Sequence, residues 1–225
     1  DEANKNLLRI SSFSHQDRFD EAIIETLREY IYVFKDKKIP TNKKSYGKLS
    51  FISETFQRCY LGDKATDTFF TKLFNDPQSD YSRYIFFYLN HLIENNRVNE
   101  ARELANEIEY IKSPLLLSQG KNWIESNYSK KISEVFSCSN HNDIIGEFFF
   151  LISNIYSAED DFKKSNFYLN LANFLNPKFI FNLSLVVENQ FFNGEYEKAR
   201  ETLKNFKKED NFYFWYRVKK EAKII

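Results

Sequence analysis

Cys138-Ser-Asn-His141 sets a thiol and an imidazole three residues apart, the residue types from which a metal site or a reactive cysteine is built. No second pair at ligand spacing accompanies it, so the segment reads as a loop between helices. The other histidines, His15 and His91, stand alone. His91 falls next to Asn90 and Leu92 on a helical stretch, where a surface or groove residue fits better than a catalytic base. Glu159-Asp160-Asp161 and Glu209-Asp210 are acidic clusters without the framing that would set paired carboxylates to acid–base work, and both read as polar turns. A P-loop, a GxGxxG and an HExxH are all missing. The expectation is a protein with no catalytic residues, no metal and no cofactor.

The elements that carry these residues must then explain the function. With 5 Gly and 4 Pro in 225 residues there is little punctuation for the tight turns of a β-sandwich or barrel, and an all-α fold follows. The 32 basic residues balance 32 acidic ones, so the positive excess that holds phosphate backbones is missing and no nucleic acid is expected as a partner. Apolar runs such as Phe148 to Ile152 are far shorter than the roughly 20 residues a membrane span needs, so no membrane span is expected. Cys59 and Cys138 lie outside any CxxC; two could pair if the protein is exported, but free buried thiols are the plainer reading. A cytoplasmic setting is the default; an exported one follows if a signal peptide preceded Asp1.

A period runs along the chain. From Gly146 to Pro177, Phe149, Ile152, Ser153 and Tyr156 fall at helical spacing, and after the polar Ser157 to Asp161 so do Phe162, Ser165, Leu169 and Ala172. That is a helical hairpin, closed where Pro177 withholds an N–H and biases Asn176 away from helical geometry. The small or apolar markers Ala101, Ile132, Ser165 and Ala199 recur at intervals of 31, 33 and 34 residues. Upstream, Leu49, Ile52, Ser53 and Phe56, then Ala65, Phe69 and Pro77, carry the same internal spacing. Before them Ala22 marks a looser unit, separated by the polar, proline-broken connection from Lys35 to Lys44. The division expected is 1–45, an irregular helical segment, and 46–225, a repeat array. The array ends in a helix from Asn211 with Phe214, Val218, Ala222 and Ile225 on one stripe and no partner to follow.

These residues resemble the tetratricopeptide repeats, whose pattern is W-x2-L-G-x2-Y, then A-x3-F, then P over 34 residues. Phe149-x2-Ile152-Ser153-x2-Tyr156, Ser165-x3-Leu169 and Pro177 follow it, as do Leu49-x2-Ile52-Ser53-x2-Phe56, Ala65-x3-Phe69 and Pro77. The resemblance implies a right-handed α-α superhelix, a solenoid of stacked helical hairpins whose first helices line a concave groove. It also implies a protein- or peptide-binding scaffold or adaptor. A single hairpin cannot bury its apolar face alone, so stacking, and an extended surface, follow on physical grounds as well.

Turning one position on from the packed stripe gives groove candidates Phe86, Asn90, Glu94, Phe150, Asn154, Ser157, Ser184, Glu188 and Phe191. Asparagines among aromatics suit the backbone amides of an extended peptide; the plainer alternative is that these residues pack against each other. The family's chaperone-binding members hold a carboxylate with Lys, Asn and Arg. Asn90 and Asn154 are present, but Phe86, Phe150 and Glu188 stand where the clamp needs basic residues. The second expectation is a structural subunit that self-assembles through Phe214, Trp215 and Val218 on the open C-terminal helix. Recognition of single-stranded RNA by a helical repeat is a distant third at neutral charge.

Overall fold

The structure, a computed structural model, describes residues 2, 5–6, 18–75, 82–110 and 112–224. His15, Pro77 and Ile225 lie outside the described residues. Among the described residues the chain is all-helical and contains no strand. It divides into two compact units, Asp1–Phe69 and Phe70–Ile225.

In the first unit α1 (Arg18–Asp36) and α2 (Lys48–Leu61) are joined by the polar connection 37–47, with α3 (Thr66–Phe74) beginning at its end. The division between units falls inside α3, whereas the sequence pattern opens its array at residue 46. Helix α1 buries Ala22, Ile23, Tyr30 and Val33. Helix α2 buries Ile52, Ser53 and Phe56, the stripe expected from its spacing. The rings of Phe51 and Phe69 stack 5.2 Å apart, and Phe34 meets Tyr60 edge-on at 4.7 Å.

Among the described residues the second unit holds four helical hairpins and a closing helix. They are α4 (Arg83–Glu94) with α5 (Val98–Asn106), α6 (Leu115–Glu125) with α7 (Lys130–Val135), α8 (His141–Ala158) with α9 (Phe162–Leu175), and α10 (Asn182–Phe192) with α11 (Tyr196–Leu203). Then comes α12 (Asn211–Ile224).

The backbone repeats more strictly than the side chains. Gly62, Asn96, Asn127, Asp160 and Gly194 all adopt the left-handed conformation, φ 59 to 74°, at intervals of 34, 31, 33 and 34 residues. Each ends the first helix of a hairpin, and the next N–H reaches back five residues: Asp63 to Arg58 O, Arg97 to Leu92 O, Tyr128 to Trp123 O, Asp161 to Tyr156 O and Glu195 to Gln190 O, at 2.7 to 3.0 Å. This is a Schellman cap, which satisfies carbonyls that a helix end otherwise leaves orphaned. Asparagine and aspartate tolerate the left-handed region better than other side chains, and glycine best of all.

Five residues after four of these turns, Ala101, Ile132, Ser165 and Ala199 are fully buried, and four further on so are Ala105, Phe136, Leu169 and Leu203. The hairpin after Gly62 is one residue shorter in its turn. There Thr66 and Phe70 take the inward places expected of Ala65 and Phe69, which are half-buried.

The closing helix departs from the sequence expectation of an unpartnered element. Helix α12 packs on α11, the helix before it, and on α6, three hairpins back. Phe212 N–H donates to Gln119 Oε1 at 2.9 Å, the Phe212 and Tyr110 rings stack at 4.8 Å, and Tyr213 meets Trp123 and Phe206 edge-on. Lys131 at the start of α7 pairs with Asp210 at 2.5 Å. The stripe drawn through Phe214, Val218 and Ala222 is therefore not the buried one: Tyr213 is 3% exposed while Val218 and Ala222 are exposed. Trp123 on α6, with Tyr110 before that helix and Phe206 after α11, decides the rotation, because tyrosine and phenylalanine bury more area than valine and alanine.

Both cysteines are disulfide-bonded and neither is free, which corrects the free-thiol expectation.

Candidate functional site on the first helices of the second unit

Three first helices, α4, α6 and α8, border a cavity of about 380 Å3. Arg83 and Tyr84 line it from α4, Leu116 from α6, and Glu147, Phe150, Leu151 and Asn154 from α8, with Phe181 closing one side.

Arg83 and Glu147 lie 64 positions apart in sequence and meet in this wall. Nε donates to Oε1 at 2.9 Å and Nη2 to Oε2 at 2.6 Å, a bidentate pair. The Glu147 side chain is 2% exposed and that of Arg83 17%. Burial pushes the Glu147 carboxyl above its ordinary range, and the charge and hydrogen bonds of Arg83 oppose that push. Aromatic rings cover the guanidinium: its carbon lies 3.9 Å from the centroid of Phe150 and 4.7 Å from that of Phe181. Its third nitrogen, Nη1, is buried without a hydrogen-bond partner.

A second cleft, of about 560 Å3, opens between the start of α6 and α12, where Tyr110, Ser118, Phe212, Trp215, Tyr216 and Lys219 line it.

The nine groove candidates do not share one surface. Phe150 and Asn154 line the first cavity, the former 6% exposed and the latter open to solvent. Phe86 and Asn90 occupy the same register two hairpins earlier, yet both are 0% exposed. Phe86 packs on Phe87 and Phe179, and Asn90 Nδ2 donates to Phe136 O at 2.7 Å. Glu94 accepts from the Ser137 side chain and the Cys138 backbone.

Ser157 donates to Asn189 Oδ1 at 2.6 Å. Ser184 O and Glu188 both accept from Tyr216 Oη, Lys220 pairs with Glu188, and the Lys220 ammonium lies 5.1 Å from the Phe191 ring centroid. Downstream, then, the chain's own last helix engages the positions proposed for a partner. Of the assembly-face candidates, Trp215 is 61% and Val218 38% exposed, and Phe214 is half-buried.

A polar network missing from the sequence reading joins α8, α9 and α10. Asn189 Nδ2 donates to Ser165 Oγ at 2.8 Å and to Asn166 Oδ1 at 2.9 Å. Ser153 Oγ donates to Ser165 O at 2.9 Å, which leaves the Ser165 hydroxyl proton for Ser153 Oγ, also at 2.9 Å. Ser153, Ser165 and Asn189 are fully buried, so the interface between these hairpins is specified by hydrogen bonds as well as by shape.

His91 is buried beside Asn95, Tyr88 and Phe70, and His141 opens α8. Asp161 caps α9 by accepting from Lys164 N at 3.1 Å. No cluster of metal-ligating side chains occurs among the described residues, and no helix among them is long and apolar enough to cross a membrane.

One signal for the missed pair was present: Glu147 interrupts the apolar run Ile144-Ile-Gly-Glu-Phe-Phe-Phe-Leu151, and a charge at a packed register needs a partner. Comparison with protein-family models, with curated proteins and with solved structures finds no match.

Proposed function

We propose that this chain is a non-catalytic scaffold or adaptor of the tetratricopeptide-like kind, which binds a protein or peptide on the first-helix face of its second unit. The observation that carries this reading is the open cavity to which three successive first helices each contribute, with exposed Asn154 beside buried Phe150. Apolar walls with a few placed polar groups are the usual make-up of a recognition site. The periodic caps and buried small residues support the repeat-family reading.

The test is affinity capture with Leu151→Arg, which puts a charge in the cavity, against Phe174→Arg, which alters a residue 81% exposed on α9. Loss of the captured partner with the first variant alone supports the proposal; loss with the second alone contradicts it. A second reading, self-assembly through α12, draws on the exposure of Trp215 and Val218. Light scattering at micromolar concentration decides it, since a monomer removes it.

A further inference from the structure

An arginine in the wall of a cavity ordinarily suggests a site for a carboxylate or phosphate. Three features of Arg83 argue otherwise. Two of its three nitrogens, Nε and Nη2, are committed to Glu147 along one edge, so the pair is internally neutral. Nη1, the remaining nitrogen, is shielded from solvent and has no partner, so an incoming oxygen cannot reach it without rearrangement. The guanidinium faces are taken by Phe150 and Phe181. An anion placed in the cavity would meet the Glu147 carboxylate in a poorly solvated wall, with only the neutral Asn154 amide, and no uncommitted cationic side chain in the lining, to offset the repulsion.

We infer that the cavity is a side-chain subsite for a neutral, apolar or aromatic residue of a bound peptide and that it discriminates against anions. The Arg83–Glu147 pair serves as a rigid polar wall, not as a ligand for charge. Tyr84, Leu116, Phe150 and Leu151 supply the apolar contact, and the exposed Asn154 amide has both a donor and an acceptor for the peptide backbone beside that residue. The volume of about 380 Å3 falls near the lower end of the roughly 300–1,000 Å3 typical of small-ligand sites, a size suited to one large side chain rather than to a cofactor. This inference rests on the first-helix face being the binding face.

The experiment compares N-acetylphenylalanine amide with N-acetylphenylalanine, which differ by one negative charge, titrated into the whole chain labelled on its leucine methyl groups. Shifts of the Leu116 and Leu151 methyl signals report occupancy. The amide is expected to bind at least about tenfold more tightly than the carboxylate, about 1.4 kcal/mol. In Glu147→Gln, where the guanidinium loses its counter-charge, the preference is expected to shrink or reverse.

Equal or tighter binding of the carboxylate by the unaltered chain overturns the inference while leaving the face a binding face. Absence of methyl shifts with either compound at about tenfold above the millimolar range typical of such fragments also overturns it. The capture test with Leu151→Arg then judges the broader proposal by itself.

Discussion

Gly120 lies directly beneath the ring of Phe86: a Cβ on the glycine would stand 2.9 Å from Phe86 Cδ2 and 3.2 Å from Cε2. Phe86 is fully buried between Phe87 and Phe179, so its ring has no room to retreat. Gly120→Ala is expected to destabilise the protein by roughly 1–3 kcal/mol through overpacking, despite the better helix propensity of alanine. Denaturant unfolding checks it. Phe86→Leu should relieve part of the clash, so the double variant will be more stable than the two single losses added together.

The Arg83–Glu147 pair predicts an asymmetry between breaking and replacing. Glu147→Gln leaves a caged cation without a counter-charge and is expected to cost roughly 3–5 kcal/mol. Replacing both residues by leucine removes the buried charges together and should cost clearly less. A double variant no more stable than Glu147→Gln would show that the pair is not coupled.

Asn189 joins three helices through bonds to Ser165, Asn166 and Ser157. Asn189→Ala removes these bonds, leaves the Ser157 hydroxyl without its acceptor, and is expected to cost roughly 1–3 kcal/mol. Backbone amides of α10 should gain the most in hydrogen exchange.

How much of this was legible in the sequence differs by level. The period was, because a hairpin must turn and cap at each repeat, and that requirement placed Asn96, Asp160 and Gly194 beside the polar turns read from the spacing. The Thr66 register was off by one, since turn length after Gly62 is set by backbone geometry rather than by apolar spacing. The candidate site was less legible. Phe86 and Phe150 share a register, yet one is core and the other lines a cavity, and the difference comes from Phe87, Phe179 and Gly120 around Phe86. Neither the return of α12 onto α6 nor the meeting of Arg83 with Glu147 follows from local pattern, because both are contacts across 60 or more residues.

Asp143, in the first turn of α8, is pushed up to about 6, chiefly by burial and secondarily by the neighbouring Glu94 charge; the Ser137 backbone N–H, Lys178 and His141 act in the opposite sense. A carboxyl whose folded value lies above its unfolded one binds protons more readily in the folded state. Its contribution to stability is present at acid pH and is lost as pH rises from about 4 through about 6. Asp143→Asn should flatten that segment of the stability–pH curve, measured by denaturant midpoints from pH 4 to 7. An unchanged curve would refute the assignment.

The central claim, that partners are held on the first-helix face of the second unit, is tested most directly by a photo-crosslinking amino acid placed at Asn154 and, separately, at Phe174 on α9. The prediction is a partner adduct from position 154 that N-acetylphenylalanine amide suppresses, and none from position 174. Adducts from position 174 alone would contradict it, whereas adducts from 154 indifferent to the competitor would overturn only the side-chain subsite.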